Sequence, residues 1–283
     1  MVTGTVTQLW RYPVKSMLGE RLDEASIGEH GVAGDRAFAL IDTETGKVCS
    51  AKRHDLYGKL FEFRAELVSE DPLTARITFP DGSVATTSDP DVSDRLSKVF
   101  ERPVTLSSTA PPNAKLEEIW DESKGPRMYG PRVDEHDGQT VIEMGTSFAL
   151  PGDFFDFCAI HLLTTNTVDE LKKLEPDVAF DVRRFRPNIV VEVPDDSGFV
   201  ENGWSSVRVG DLELNTLMPV PRCVMTTLPQ DELPKDTRVL RSAAKHNMIE
   251  AGPLGPMPCT GLYMAVGAGA TIRVGDGVTA DAG

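Results

Sequence analysis

Among the four cysteines of this chain, Cys223 is set apart by its neighbours. In Met218-Pro219-Val220-Pro221-Arg222-Cys223-Val224-Met225-Thr226-Thr227, two prolines stiffen the approach and Arg222 places a permanent cation beside the thiol. A nearby cation favours the thiolate, the form that ligates metals and attacks electrophiles. The competing reading is a small buried hydrophobe, which is what most lone cysteines are. No Cys or His lies at zinc-type spacing from Cys223, so a metal held there must take most of its ligands from a cofactor.

Three further segments carry cationic or hydrogen-bonding groups. Val182-Arg183-Arg184-Phe185-Arg186-Pro187-Asn188 leads into an apolar run and is expected to open a strand. Alternation along a strand then sets Arg184, Arg186 and Asn188 on one face and Phe185 in the core. Two guanidinium forks and an amide on one face suit a phosphate or carboxylate; the alternative is surface pairing with some of the 44 acidic residues. Tyr12-Pro13-Val14-Lys15-Ser16 adds an ammonium and a hydroxyl, and Gly34-Asp35-Arg36 a guanidinium after a glycine turn. Singly, each of these is an ordinary solvated loop or a surface ion pair. The formal net charge is −15, which argues against nucleic acid or an anionic membrane as a general partner. Local clusters of basic residues stand out against such a background. His161 lies in an apolar run and is expected to be a satisfied core residue; His246 is expected near a helix C-terminus.

The elements that must position these groups are mainly strands. Residues 5–12 alternate, 36–41 and 47–49 read as one hairpin, and 75–79 and 83–86 as another turning at Pro80-Asp81-Gly82. A short helix is expected with Asp89 as N-cap, Pro90 at its first position and Leu96, Val99 and Phe100 inside. Residues 107–153 show no periodicity and read as a long irregular segment. Beyond it come a buried strand at 160–164, a helix at 167–174 with Thr167 and Glu170 at capping-box spacing, and a strand at 188–193. Two hairpins close the sequence, turning at Gly210-Asp211 and at Gly275-Asp276. Gly267-Ala268-Gly269 is no dinucleotide fingerprint, and neither a Walker A sequence nor a G-x-S-x-G elbow occurs. The longest apolar runs fall short of a membrane span, no signal-peptide pattern opens the chain, and the dispersed cysteines fit a reducing cytoplasm. These features describe a β-rich α+β protein of one large or two ordinary domains.

Together, Tyr12-Pro13-Val14-Lys15-Ser16, Gly34-Asp35-Arg36, Phe185-Arg186-Pro187-Asn188-Ile189-Val190 and Arg222-Cys223-Val224-Met225-Thr226-Thr227, followed by Gly261-Leu262-Tyr263 and Val274-Gly275-Asp276, resemble the MOSC family. The family takes its name from the C-terminal domain of molybdenum-cofactor sulfurase, and the likeness is to the branch of the amidoxime-reducing components. The resemblance implies a MOSC N-terminal β-barrel domain over residues 1–108 and a MOSC β-barrel domain with a few short helices over residues 109–283. It implies a molybdenum–molybdopterin cofactor, with Cys223 as the metal ligand and Lys15, Ser16, Arg36, Arg186, Asn188, Arg222 and Tyr263 around the pterin and its phosphate. The dithiolene and oxo groups would then supply the ligands that the protein lacks. The implied activity is oxygen-atom transfer from small N-hydroxylated or N-oxide compounds. Sulfur transfer, a non-catalytic molybdopterin carrier and a metal-free anion-binding protein remain as alternatives. No cluster-forming cysteine run is present, so electrons are expected from a separate reductase or ferredoxin. Phe157-Cys158 stands where the amidoxime reducers carry Thr-Ser, leaving only backbone amides to serve there, and Met17 stands where a cysteine is common.

Overall fold

The computed structural model of the chain describes residues 1–120, 131–145, 153–194 and 197–283. Two compact units emerge, and they interleave in sequence. Met1–Trp10, Arg21–Ala33 and Cys158–Gly283 make one; Arg11–Glu20 and Gly34–Phe157 make the other. The chain's first strand belongs with the C-terminal barrel.

That barrel has seven strands. Its order runs Ile160–Thr164, Ile189–Glu192, Val2–Arg11, Gly277–Ala282, Trp204–Val209, Leu212–Pro221 and Pro256–Ala268, which pairs back to Ile160–Thr164. Closure leaves no free edge in the ring. Only the step from Ile160–Thr164 to Ile189–Glu192 is parallel, with Leu162 opposite Ile189. A parallel step needs a crossover, and helix α1 (Thr165–Leu174) lies on it. Val2–Arg11 bridges the barrel, pairing Val6 with Val191 on one side and Val2 with Ala280 on the other. Inward positions converge on one core that includes Val6, Leu9, Ile160, Leu162, Ile189, Val207, Leu214, Leu262, Met264 and Val278.

In the other unit, Arg64–Glu70, Leu73–Thr78 and Val84–Thr86 form a three-stranded antiparallel sheet. Helix α2 (Val92–Phe100) contributes Leu96 and Phe100 to its core, where Phe63 meets Phe79 edge-on at 5.2 Å and stacks on Phe100 at 5.6 Å.

Several local expectations are corrected. Helix α2 begins at Val92, because the Asp89 carboxylate takes the Thr86 amide and hydroxyl and closes a turn instead of capping. Helix α1 is capped by Thr164, whose hydroxyl accepts from the Thr167 amide, and Thr167 turns its own hydroxyl to Glu201. Within the stretch read as irregular, Lys115–Trp120, Gln139–Gly145 and Arg132–His136 form an antiparallel sheet. Its hairpin turns on Asp137 (φ 47°) and Gly138 (φ 76°), an Asp-Gly pair of the kind that two consecutive positive φ values require. Residues 121–130 and 146–152 of that stretch lie outside the described residues. The final pair of strands is no hairpin ladder either. Ala270–Arg273 pairs with Glu24–Gly28, whereas Gly277–Ala282 enters the barrel, so the turn at Gly275-Asp276 passes the chain between two sheets. The turn at Gly210-Asp211 does join paired strands, with Val209 opposite Leu212.

Candidate functional site

The candidate residues fall into two groups, one in each compact unit.

In the first group, Pro221 ends a barrel strand and Arg222 and Cys223 follow before a single 3-10 turn, Val224–Thr227. The Cys223 carbonyl accepts from the Thr226 amide and hydroxyl, which fixes the thiol-bearing residue at the head of the turn. Cys223 is partly exposed, whereas Cys49, Cys158 and Cys259 are buried and no disulfide links any of them. Burial pushes the Cys49 and Cys259 thiols up to about 12, and raises that of Cys158. Those three are poor nucleophiles and poor ligands. The Cys158 thiol donates to the Met264 carbonyl, 2.9 Å away, so it is spent inside the barrel.

Arg222 is 8% exposed, and its guanidinium is held by neutral acceptors. Nε donates to Thr260 Oγ1 at 2.5 Å, Nη1 to the Phe185 carbonyl at 3.1 Å, and Nη2 both to His161 Nε2 at 2.7 Å and to the Thr260 carbonyl. Among the described residues no carboxylate forms an ion pair with it. Burial lowers its pKa from 12.5 to about 10, so the charge persists at neutral pH. A buried cation without a counter-ion is expensive.

Asn188, Tyr263 and Arg186 complete this group. Asn188 is buried and ties backbone to backbone: its Oδ1 accepts from the His161 amide, and its amide nitrogen donates to the Trp10 carbonyl at 3.3 Å. Tyr263 lies directly opposite His161 in the ladder, its ring edge-on to the imidazole at 6.2 Å. Arg186 sits at φ 55° immediately after the 3-10 turn Val182–Phe185. Because that segment is a turn, with the strand starting only at Ile189, the expected common face of Arg184, Arg186 and Asn188 does not form. Phe185 is in the core as expected. Arg184, 1% exposed, donates to the carbonyls of Ala179, Thr226, Leu228 and Pro234. It staples the turn behind Cys223.

The second group is also basic and buried. Lys15 Nζ donates to the Phe154 carbonyl at 2.6 Å and pairs with Asp156. Lys52, a residue not singled out from the sequence, pairs with the other Asp156 oxygen at 3.1 Å and lies 3.6 Å from the buried Glu118. Its Nζ lies over the Phe157 ring, 5.9 Å from the centroid, within cation–π range. The pair Lys52-Arg53 was a signal in the sequence, though one without a motif around it. Burial lowers the Lys15 pKa despite Asp156; although burial alone would raise the Asp156 carboxyl, the two ammonium groups hold it well below the usual carboxylate range. The Ser16 hydroxyl accepts from the Ala51 amide at 3.2 Å. Arg36 pairs with Asp35 and spreads over the Tyr12 ring at 4.5 Å.

Three of these residues share a backbone feature. Ser16, Arg36 and Arg186 have φ of 64°, 48° and 55°. Left-handed backbone costs a non-glycine residue about 1–2 kcal/mol, and such costs gather where a binding site fixes its groups in advance. Among the described residues no three His, Cys, Asp or Glu side chains cluster as a metal site.

The first unit is thus a closed mixed β-barrel that presents a partly exposed thiol beside a buried arginine held by neutral hydrogen-bond acceptors. The chain belongs to the MOSC family: residues 151–279 match the MOSC domain and residues 3–109 the MOSC N-terminal beta barrel domain. Its relatives include mitochondrial amidoxime-reducing component 1 of Mus musculus, 27% identical over 97% of this chain and 82% of that one. Mitochondrial amidoxime reducing component 2 of Homo sapiens is 27% identical over 97% and 83%, and that of Rattus norvegicus 31% identical over 97% and 82%. No helix among the described residues is long and apolar enough to cross a membrane.

Proposed function

We propose that this protein binds a molybdenum–molybdopterin cofactor and reduces N-hydroxylated or N-oxide compounds by oxygen-atom transfer. The observation that carries this reading is Arg222: a buried guanidinium whose hydrogen-bond partners among the described residues are neutral, next to the accessible thiol of Cys223. Such a pairing fits an anionic cofactor whose metal takes one protein thiolate. The family relatives named for amidoxime reduction agree with it.

In this reading the cofactor, when bound, supplies the two-electron redox chemistry. The chain's own residues bind and orient. Cys223 offers its thiolate to the metal from the rigid head of its turn. In one unit, Lys15, Ser16 and Arg36 present donors whose backbone or ion-pair geometry is fixed in advance; in the other, Arg186 does the same and Arg222 neutralises charge next to that thiolate. Arg184 acts behind them, holding the turn. Tyr263 and Asn188 wall and brace the His161 strand. Electrons come from a separate donor protein, a reductase or ferredoxin, and the four thiols outside any disulfide suit a reducing cytoplasm.

The test is direct. Holoprotein made in cells with active cofactor synthesis, reduced chemically and mixed with benzamidoxime, is expected to form benzamidine over many turnovers. Holoprotein that carries molybdenum yet forms none would contradict the reductase reading and favour a carrier.

A further inference from the structure

His161 satisfies the description of a core residue, at 5% exposure on an inward strand. Its contacts say more. Its amide donates to the Asn188 side chain and its carbonyl accepts from the Asn188 amide at 2.8 Å. Its ring meets that of Tyr263, and its Nε2 lies 2.7 Å from Arg222 Nη2. Three of the residues singled out for the anion site thus converge on one histidine.

The chemistry of that last contact fixes the state of the ring. Arginine has donors and no acceptor, so His161 Nε2 must accept. The imidazole is therefore neutral, with its proton on Nδ1; an imidazolium would set two donors and two positive charges against each other in a buried place. The backbone makes room for this arrangement at Gly261, where φ is +78°. A Cβ there would stand 2.5 Å from His161 Nε2 and 2.5 Å from the Leu162 carbonyl. Strand sterics and hydrogen bonding thus agree on one ring position.

We infer that His161 is a positioning residue: as a neutral acceptor it pins the Arg222 guanidinium beside Cys223, so that the charge is presented to the anionic ligand in one orientation. This rests on the proposed function for the identity of the ligand, but not for the geometry. An apolar side chain at 161 would leave an Arg222 Nη2 donor without that acceptor in a buried site, and a cationic one would repel it.

Two readouts separate the inference from the reading it rests on. In nitrogen-labelled protein without cofactor, heteronuclear NMR is expected to show His161 as the neutral tautomer protonated on Nδ1; an Nε2-protonated or doubly protonated ring at neutral pH would overturn the inference whatever the ligand. With holoprotein, the dissociation constant for the cofactor, followed by molybdenum retained after dilution, is expected to rise about tenfold to a hundredfold in His161→Leu, the range for a lost charge-assisted hydrogen bond. His161→Gln, which restores an acceptor, is expected to recover most of it. Thermal unfolding of each variant separates lost positioning from lost fold. Retention in His161→Leu equal to the parent's, or a His161→Gln no better than His161→Leu at equal stability, would overturn the inference. A parent protein that holds no molybdenum would overturn the functional reading alone, leaving the NMR result to decide His161.

Discussion

Asp156→Asn is expected to lower the stability of the protein by about 3 kcal/mol, the range seen when one member of a buried ion pair is removed. Asp156 carries the negative charge shared by Lys15 and Lys52. Without it, two ammonium groups face each other out of water, with Glu118 3.6 Å from Lys52. The same pairing predicts a pH dependence. The Asp156 carboxyl is held below its ordinary range in the fold, so its contribution is fully present above the unfolded carboxylate pKa near ~4 and is lost as pH falls below it. Urea unfolding from pH 7 to pH 3 should show a stability loss in the parent that is shallower in Asp156→Asn. Equal stability of the two at pH 7 would show that the lysines do not depend on this carboxylate.

The second large effect is expected at Arg222, where stability and binding should part company. A drop in pKa from 12.5 to about 10 corresponds to roughly 3 kcal/mol against keeping the guanidinium charged in the fold. Arg222→Met removes that penalty along with four hydrogen bonds to neutral acceptors, each worth about 1 kcal/mol net. The two changes nearly cancel, so denaturant unfolding should place the variant within about 2 kcal/mol of the parent. Molybdenum retention, by contrast, should fall by about a hundredfold or more, since a charge-assisted contact and the local positive potential vanish together. A variant that is badly destabilised yet still loads would make Arg222 a structural residue.

The strand-rich character and most local hairpins were legible in the sequence because they rest on short-range signals. Alternation and turn residues marked the hairpins at 75–86 and 204–221. The failures were non-local or fell to competing local bonds. Nothing near Val2–Arg11 says that its partners are Ile189–Glu192 and Gly277–Ala282, so the interleaving of the two units was out of reach. Ile272–Val278 carries a hairpin signature, yet its two arms find different neighbours. Asp137-Gly138 was a readable turn that an absence of periodicity on either side obscured.

The same split holds for the candidate site. Residue types and motif order pointed to Lys15, Ser16, Arg36, Arg186, Arg222 and Cys223, because such chemistry is carried by side-chain identity. Geometry was another matter. Arg184 was grouped with Arg186 on the assumption of a strand, and a 3-10 turn sends it to four carbonyls instead. Lys52 and Asp156 are about a hundred residues apart in sequence and meet only in the fold. His161 read as core, and it is; its hold on Arg222 depends on Gly261, a hundred residues further along the chain, leaving space for its ring.

The central claim is that Cys223 holds a molybdenum centre. Metal analysis of protein purified from cells with active cofactor synthesis, parent beside Cys223→Ala, tests it most directly. The parent is expected to carry close to one molybdenum per chain with pterin in equal amount, and Cys223→Ala, folded and equally stable, to carry almost none. A parent without molybdenum, or a Cys223→Ala variant that binds it as well as the parent does, would contradict the claim.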